Sequence, residues 1–259
     1  MKGKGLVFGV LVSVASSGAV GSDVCDGFGP QTPRDIDQAS GTNQRVFPLA
    51  PPASEMNLCN IHFHKNAEHK AEAFSVYAGP GEFGGYQCGI SQSLTAAELE
   101  APSGAVCNGV KPGDTIEVHW VHSSCDVNPG EGLGSCLSET CANPSLRVET
   151  QVFTVVNDSN AMDFNELDYD GNQVNGYHQA KMIPSDTGAP VEFPGSTTGP
   201  SFTEQSCSPL QVTWSVRPQC AKVDINSLAT WCENNEFGET KAHGVRQLVT
   251  DPRLLAPIP

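Results

Sequence analysis

The sequence predicts a mostly β protein of one domain, with long loops and few short helices. Five short stretches are rich in Val, Ile, Thr and aromatic residues, a composition typical of β-strands. Loops that contain Gly and Pro separate these stretches. The 259 residues show no internal repeat and no clear linker, which favours a single domain.

The predicted elements follow one another along the chain. Residues 25–57 contain five prolines and no periodicity, so we expect an irregular segment packed on the body of the domain. Strands are predicted at residues 58–64, 72–78, 115–122, 147–156 and 210–216. Long loops are expected at residues 79–89, 126–145 and 184–209. A helix is predicted over residues 227–236, and a second, shorter helix over residues 96–100.

The charge balance narrows the range of partners. The chain has 14 basic and 29 acidic residues, which gives a formal net charge of −15 at pH 7. A surface this acidic repels the phosphate backbone of nucleic acids and the headgroups of anionic lipids. We therefore expect no nucleic-acid partner and no membrane association of the mature chain. The composition does not indicate an oligomeric state.

The first 21 residues have the pattern of a secretory signal peptide. Lys2 and Lys4 precede an uncharged apolar run at 6–14, and small residues follow at 19–21. We expect cleavage after Gly21, a mature domain over residues 22–259, and export to the periplasm or the medium. Such compartments are oxidising. The ten cysteines are an even number without a Cys-x-x-Cys pair, which favours five disulfides over a cysteine metal site.

Histidines at alternate positions indicate a metal site. His62 and His64 lie two residues apart in one predicted strand, so their side chains face the same side. Glu117 and His119 share one face of another predicted strand. If the two strands pair, three imidazoles converge and leave one coordination position open, which is the arrangement of a catalytic zinc site. Glu117 would then orient His119 through a hydrogen bond.

Spacing alone leaves two other functions open. His62-x-His64, followed by Glu68 and much later by His119, also fits the metal motif of cupins. In that interpretation Glu68 is a fourth ligand to iron or manganese, and the protein is a metal-dependent oxygenase or isomerase. The third hypothesis is a secreted metal-binding protein without catalytic activity.

Several motifs resemble the active-site signature of alpha-class carbonic anhydrases. That family has a His-x-His strand, a Glu-His pair and a Glu-x-His-x-x-His strand. They resemble His62-Phe-His64, Glu68-His69 and Glu117-Val-His119-Trp-Val-His122 in this chain. The segment Phe-Pro-Gly-Ser-Thr-Thr-Gly-Pro at 193–200 is similar to the family's threonine loop. The short gap before Glu68 is more similar to the delta class, so the chain resembles a delta-class carbonic anhydrase with alpha-like motifs.

This resemblance implies an enzyme that hydrates CO2 reversibly to bicarbonate and a proton. The fold would be a central, largely antiparallel sheet of the alpha-carbonic-anhydrase type, and residues 22–259 would form the catalytic domain. His62, His64 and His119 would hold a zinc ion, which cobalt or cadmium could replace. Zinc-bound hydroxide would attack CO2, and CO2 and bicarbonate would be the small-molecule partners.

The resemblance also implies roles for residues around the metal. Thr197 or Thr198, of which we favour Thr197, would accept the hydrogen bond of the hydroxide. Glu68 would in turn accept a hydrogen bond from that threonine. An apolar wall for CO2 is expected from Val121, Val152 and Trp214.

Some residues receive no fixed role or a structural one. The shuttle histidine of the alpha family has no matching position in this chain, which leaves His69, His178 and His243 as unassigned candidates. His69 and His122 match family positions that look structural.

The resemblance implies one disulfide as well. In secreted members of the alpha family, an early cysteine pairs with one near the threonine loop, which implies Cys25 or Cys59 paired with Cys207. Disulfides would also hold the cysteine-rich insert at 125–141, because that segment has little apolar content.

Overall fold

The structure is a computed structural model that describes residue 25 and residues 27–197 and 207–259. The predicted signal peptide and Thr198 lie outside these residues. In chain order the strands are β1 (Asn57–Lys65), β2 (Val76–Gly79), β3 (Gly85–Gln87), β4 (Thr115–Ser123), β5 (Leu146–Val156), β6 (Gln173–Val174), β7 (Tyr177–His178), β8 (Val191–Ser196), β9 (Gln211–Val216) and β10 (Ala221–Asp224). The α-helix of the described part of the chain, α1, spans Ile225–Glu233.

Six of these strands form the central sheet, and the mostly β fold class is confirmed. The order is β1-β4-β5-β9-β8, and β10 pairs with β5 beyond the end of β9. The pairs β1–β4, β4–β5 and β8–β9 are antiparallel. The pairs β5–β9 and β5–β10 are parallel, so the sheet is mixed, and its three antiparallel pairs agree with the largely antiparallel sheet that the family resemblance implies.

Strand β8 lies inside the segment that the sequence predicts as a loop at 184–209. It contains Pro194 and Gly195, which argue against a strand because Pro cannot donate to the ladder and Gly packs no side chain. β8 stands at the end of the sheet order and, among the described strands, pairs with β9 alone. An edge position tolerates proline, since one side of the strand needs no hydrogen-bond donor.

Other predicted elements are shifted or absent. The prediction of a strand at 72–78 is wrong at its start, because Ala71 and Phe74 close a tight turn and β2 begins at Val76. Residues 96–100 form hydrogen-bonded turns instead of a helix. The predicted helix at 227–236 begins two residues earlier, because the Asp224 carboxylate accepts from Ser227 N and caps the first turn. It ends at Glu233.

The sheet separates two buried apolar clusters. Ile116, Val118 and Trp120 of β4 face one side, where Leu228 and Trp231 of α1 cover them. Alternate residues of the same strands face the other side, where a second cluster forms. This second cluster includes Val121, Val148, Val152, Phe193 and Trp214. The predicted histidine site belongs to the second side of the sheet.

All ten cysteines form disulfides, and Cys25 pairs with Cys207, one of the two pairings implied by the family resemblance. The other four disulfides are Cys59–Cys136, Cys88–Cys220, Cys107–Cys232 and Cys125–Cys141. Four of the five join segments more than 70 residues apart, so they constrain the unfolded chain strongly. No helix in the described residues has both the length and the apolar character needed to cross a bilayer.

The cap of α1 gives a prediction for stability. Asp224→Ala removes the acceptor for Ser227 N, so we expect the free energy of unfolding to fall by about 1 kcal/mol. Urea unfolding with the disulfides intact measures the change. Asp224→Asn is the control, because asparagine caps helices as well as aspartate does. An equal loss in both variants would show that the charge of Asp224, and not its capping oxygen, stabilises the fold.

Candidate metal centre

The pairing of β1 with β4 brings three histidines together. His62 lies directly opposite His119, and His64 lies opposite Glu117. The ring centroids of His62 and His119 are 5.0 Å apart, and those of His64 and His119 are 4.8 Å apart. Each of the three residues offers a ring nitrogen within 4.8 Å of the other two. The pairing of the two strands, which the metal-site hypothesis requires, is therefore present.

Each imidazole has one nitrogen held by an acceptor. His62 Nδ1 lies 2.7 Å from Asn60 Oδ1, and His64 Nδ1 lies 2.8 Å from the carbonyl oxygen of Gly244. His119 uses its other nitrogen, Nε2, at 2.7 Å from Glu117 Oε1. The acceptors place the protons on these atoms, so His62 Nε2, His64 Nε2 and His119 Nδ1 carry lone pairs.

This donor set fits a zinc ion. Tetrahedral zinc holds imidazole nitrogens at about 2.0–2.1 Å, which separates two ligand nitrogens by about 3.3 Å. His119 Nδ1 and His62 Nε2 are 3.2 Å apart. Two lone pairs that face each other at this distance repel unless a cation lies between them, so the geometry suits a metal.

The electrostatics of the site keep the ligands ready for a metal. Desolvation, followed by the neighbouring imidazoles, lowers the pKa of His62 well below its usual value. Burial lowers the pKa of His64 to about 4. Both rings are therefore neutral near pH 7. Metal ions bind the neutral form, so protons compete weakly at these two ligands.

Glu117 joins the metal centre to a second buried histidine. Its Oε1 accepts from His119 Nε2 and, at 2.8 Å, from His69 Nδ1, while Oε2 accepts from His69 N. Burial alone would raise the pKa of Glu117, but the electrostatic influence of the neighbouring His69 and the hydrogen bonds from both rings hold it well below its usual range. His69, Glu117 and His119 also group closely enough for a metal, but hydrogen bonds account for their spacing.

Glu68 is held by Arg246, a partner that the sequence analysis does not name. Its Oε1 accepts from Arg246 N and Nε, and its Oε2 accepts from Arg246 Nη2 at 2.8 Å. Among the described residues, no hydrogen bond joins Glu68 to Thr197. Burial would raise the pKa of Glu68, but Arg246 outweighs it and holds the pKa well below its usual value.

Arg246 is the residue that the sequence analysis missed. It lies 178 residues after its partner, in a tail that follows no alpha-class motif, so no local pattern marks it. Its guanidinium also lies 5.8 Å from the ring centroid of Trp214. The side chain therefore connects Glu68 to the apolar wall of the site.

A cleft of about 750 Å³ opens onto the three histidines. Val121, Val148 and Trp214 from the sheet line its apolar side, together with Leu133. Of the predicted wall residues, Val121 and Trp214 line the cleft. Val152 is fully buried in the core four residues further along β5, and Val148 takes its place in the lining.

Thr197 lines the same cleft, at the end of β8. Its backbone is fixed from both sides, because Thr197 N donates to the Leu210 carbonyl and Ser208 Oγ donates to the Thr197 carbonyl. Thr198, the other candidate, lies outside the described residues.

Residues 239–247 form the polar side of the cleft. His243 N donates to the Phe63 carbonyl and Lys65 N donates to the His243 carbonyl, so this segment runs beside β1. The His243 ring lines the cleft with its side chain 45% exposed, and Nε2 is held by Glu239 at 2.8 Å.

The remaining histidines lie away from the cleft. His69 is fully buried, and His178 bonds to the Tyr169 hydroxyl, so neither lines the cleft as His243 does. His122 is fully buried with Nδ1 donating to the Trp120 carbonyl. The structural roles that the family resemblance implies for His69 and His122 stay predictions.

Among solved structures, the chain is similar to the alpha-carbonic anhydrase from Thermovibrio ammonificans in complex with the inhibitor sulfanilamide. The identity is 14%, 82% of each chain is covered, and the TM-score is 0.32. No curated protein sequence matches the chain significantly.

A family model described as Delta carbonic anhydrase matches residues 53–227, which is more than half of the chain. The matched range contains the three histidines, Glu68 and Glu117. The chain therefore belongs to the delta carbonic anhydrase family and is a carbonic anhydrase.

Proposed function

We propose that this carbonic anhydrase is a zinc enzyme in which His62, His64 and His119 hold the metal and the reaction is the reversible hydration of CO2. One observation carries the proposal. Each of the three imidazoles has its proton fixed on the nitrogen that faces away from the centre, so three lone pairs meet at one point. Cobalt or cadmium would suit the same nitrogens.

The zinc ion, when bound, supplies a Lewis acid that brings the ionisation of a water molecule close to neutral pH. The residues of the chain hold the ligands in place around it. Asn60 and the Gly244 carbonyl keep protons on Nδ1 of His62 and His64, and Glu117 keeps a proton on Nε2 of His119. These acceptors fix both the tautomer and the plane of each ring.

The cleft provides a place for CO2. The substrate is apolar, so the wall formed by Val121, Val148 and Trp214 suits it and excludes water from one side. Thr197 stands at the rim of this wall, where its hydroxyl can orient the oxygen that attacks CO2. Thr198 remains the alternative for this role.

The contacts of Glu68 support an anhydrase and not a cupin. In a cupin, Glu68 would give an oxygen to the metal, but here both oxygens bind the Arg246 guanidinium and backbone. Arg246 neutralises the Glu68 charge and fixes the carboxylate at the edge of the metal centre. The set of described residues that could share a metal at this point contains the three histidines without Glu68.

The cellular location is part of the proposal. The five disulfides are consistent with export, and they support a signal peptide at residues 1–21 and a mature catalytic domain at 22–259. The enzyme would then act in the periplasm or the medium. CO2 and bicarbonate are its expected small-molecule partners.

Removal of one ligand tests the function. His119→Ala takes away one of three nitrogens, so we expect the loss of both bound zinc and CO2 hydration. Metal analysis and stopped-flow CO2 hydration on the same sample measure the two effects. His178→Ala is the matched control, because His178 lies outside the cleft and should leave both unchanged.

A wild-type chain that holds one zinc ion but hydrates CO2 no faster than buffer would overturn the proposed activity. It would instead support the non-catalytic metal-binding hypothesis. A chain that binds no zinc after exposure to the metal would overturn the proposed site.

Glu68→Gln distinguishes an anhydrase site from a cupin site. Because Glu68 contacts Arg246, we expect the variant to retain one zinc ion per chain. X-ray absorption should give a first coordination sphere of three nitrogens and one light atom in both proteins. Loss of a carboxylate ligand from the metal in the variant would favour the cupin arrangement.

Glu117→Gln tests the orientation of His119. The Glu117 carboxylate accepts from three N–H groups, whereas a glutamine amide has one acceptor oxygen and would hold His119 less firmly. We therefore expect the zinc affinity to fall about 10–100-fold. Competition with a chelator measures the affinity. Glu149→Gln is the control, since Glu149 is also buried in the sheet but bonds Arg147 and Ser215. Equal affinities of the two variants would contradict this role.

A further inference from the structure

The cysteine-rich insert, residues 125–141, is fastened to the strand that carries two of the metal ligands. Cys125–Cys141 closes the insert, and Cys59–Cys136 joins it to β1. Cys59 immediately precedes Asn60, the residue that holds His62 Nδ1. The covalent attachment is therefore three residues from a metal ligand.

The backbone of β1 is shaped to receive the insert. The β1–β4 register shifts between Leu58 and Asn60, which marks an irregularity at Cys59. The Cys59 carbonyl accepts from Gly130 N at 3.0 Å and from Ser135 Oγ at 2.7 Å. Two hydrogen bonds and one disulfide thus hold the insert at this point of the strand.

The Asn60 side chain bridges the insert and the metal ligand. Its Nδ2 donates to the Gly130 carbonyl at 3.1 Å, and its Oδ1 lies 2.7 Å from His62 Nδ1. A carbonyl oxygen can only accept, so Gly130 fixes which end of the amide faces it. The amide oxygen must then face His62. Because this oxygen can only accept, His62 must carry its proton on Nδ1, and Nε2 keeps the lone pair that a metal needs.

An amide without this anchor would lose that selectivity. The two ends of the group have nearly the same shape, and a rotation by half a turn would present Nδ2 to His62. A donor in that position favours the tautomer with the proton on Nε2. That tautomer cannot bind a metal through Nε2.

We propose that the cysteine-rich insert sets the metal affinity of the site by fixing the Asn60 amide, and through it the tautomer of His62. This inference rests on the proposed function, because His62 is taken as a zinc ligand. Gly132 and Leu133 of the same insert line the cleft, so one element shapes the wall and positions a ligand. Asn60 is a positioning residue in this scheme.

Zinc affinity of the full mature chain tests the role of Asn60. We expect Asn60→Ala to weaken Zn²⁺ binding about 10–100-fold in competition with a chelator, the usual effect of losing a group that orients a ligand. Asn57→Ala is the matched control. Asn57 also bonds the insert, through Nδ2 to the Cys125 carbonyl at 3.0 Å, but it contacts no metal ligand. Equal affinities of the two variants would overturn the proposal.

A double-mutant cycle tests whether the insert acts through Asn60. Cys59→Ser with Cys136→Ser releases the insert, and we expect weaker Zn²⁺ binding than in the wild type. In an Asn60→Asp background either carboxylate oxygen can accept from His62. In this background we expect removal of Cys59–Cys136 to change the Zn²⁺ affinity by no more than about twofold, which is the usual deviation for mutations that act independently. Equal weakening in both backgrounds would overturn the proposal.

Removal of a distant disulfide controls for lost stability. Cys107–Cys232 lies in the apolar cluster on the other side of the sheet, so the variant with serine at both positions should bind Zn²⁺ like the wild type. If it weakens binding as much as removal of Cys59–Cys136, the effect comes from general destabilisation and the proposal fails.

A measurement on the metal-free protein separates this inference from the proposed function. Nitrogen-15 NMR of the His62 ring should show the proton on Nδ1 in the wild type and a mixture of tautomers in Asn60→Ala. Unchanged tautomers would overturn the inference even if zinc binds. Failure of the wild type to bind Zn²⁺ would overturn the proposed function, while the NMR result would still decide the role of Asn60.

Discussion

The antiparallel register between β1 and β4 is the constraint on which the rest of the site depends. It sets His62 opposite His119 and His64 opposite Glu117. Successive side chains of a strand alternate between faces, so a shift by one residue would turn the histidines of one strand toward the other side of the sheet. The apolar residues between the ligands oppose such a shift, because Ile61 and Phe63 are fully buried in the cluster that α1 covers. Packing on one face thus fixes the chemistry on the other.

The acceptors that hold the three histidines come from separate parts of the chain and differ in kind. One is the side-chain amide of Asn60, one is the backbone carbonyl of Gly244, and one is the carboxylate of Glu117. Only the last of these three carries a charge, and the nearby charge of Glu68 is neutralised by Arg246. The surrounding residues would therefore neutralise little of the positive charge of a divalent cation bound here. That charge is what lowers the pKa of a water molecule bound to such a cation.

The parts of the site that the sequence could predict are those with a local signal. Alternation within a strand was enough to place His62 with His64 and Glu117 with His119, and strand composition located β1, β4, β5 and β9. Contacts that depend on distant segments left no such signal. The acceptor at Gly244 is a backbone carbonyl, which every residue type has. Arg246 contacts Glu68 only because the C-terminal segment folds back beside β1. The edge strand β8 was missed because Pro194 and Gly195 suit a loop equally well, and only its place in the sheet distinguishes the two.

The backbone acceptor at Gly244 has a consequence for which substitutions the protein can tolerate. A carbonyl group is present whatever the residue, so the contact with His64 does not by itself select glycine. The loop that joins the antiparallel strands β2 and β3 does, because a Cβ atom at position 244 would lie 2.8 Å from Glu82 Cγ and 2.9 Å from Glu82 Cα in that loop. Real Cβ contacts are not this short, so any larger residue would push the segment away from β2 and β3 and move the carbonyl with it. Mutational intolerance at this position would thus originate in the close approach of two backbones, although its effect would appear at the metal.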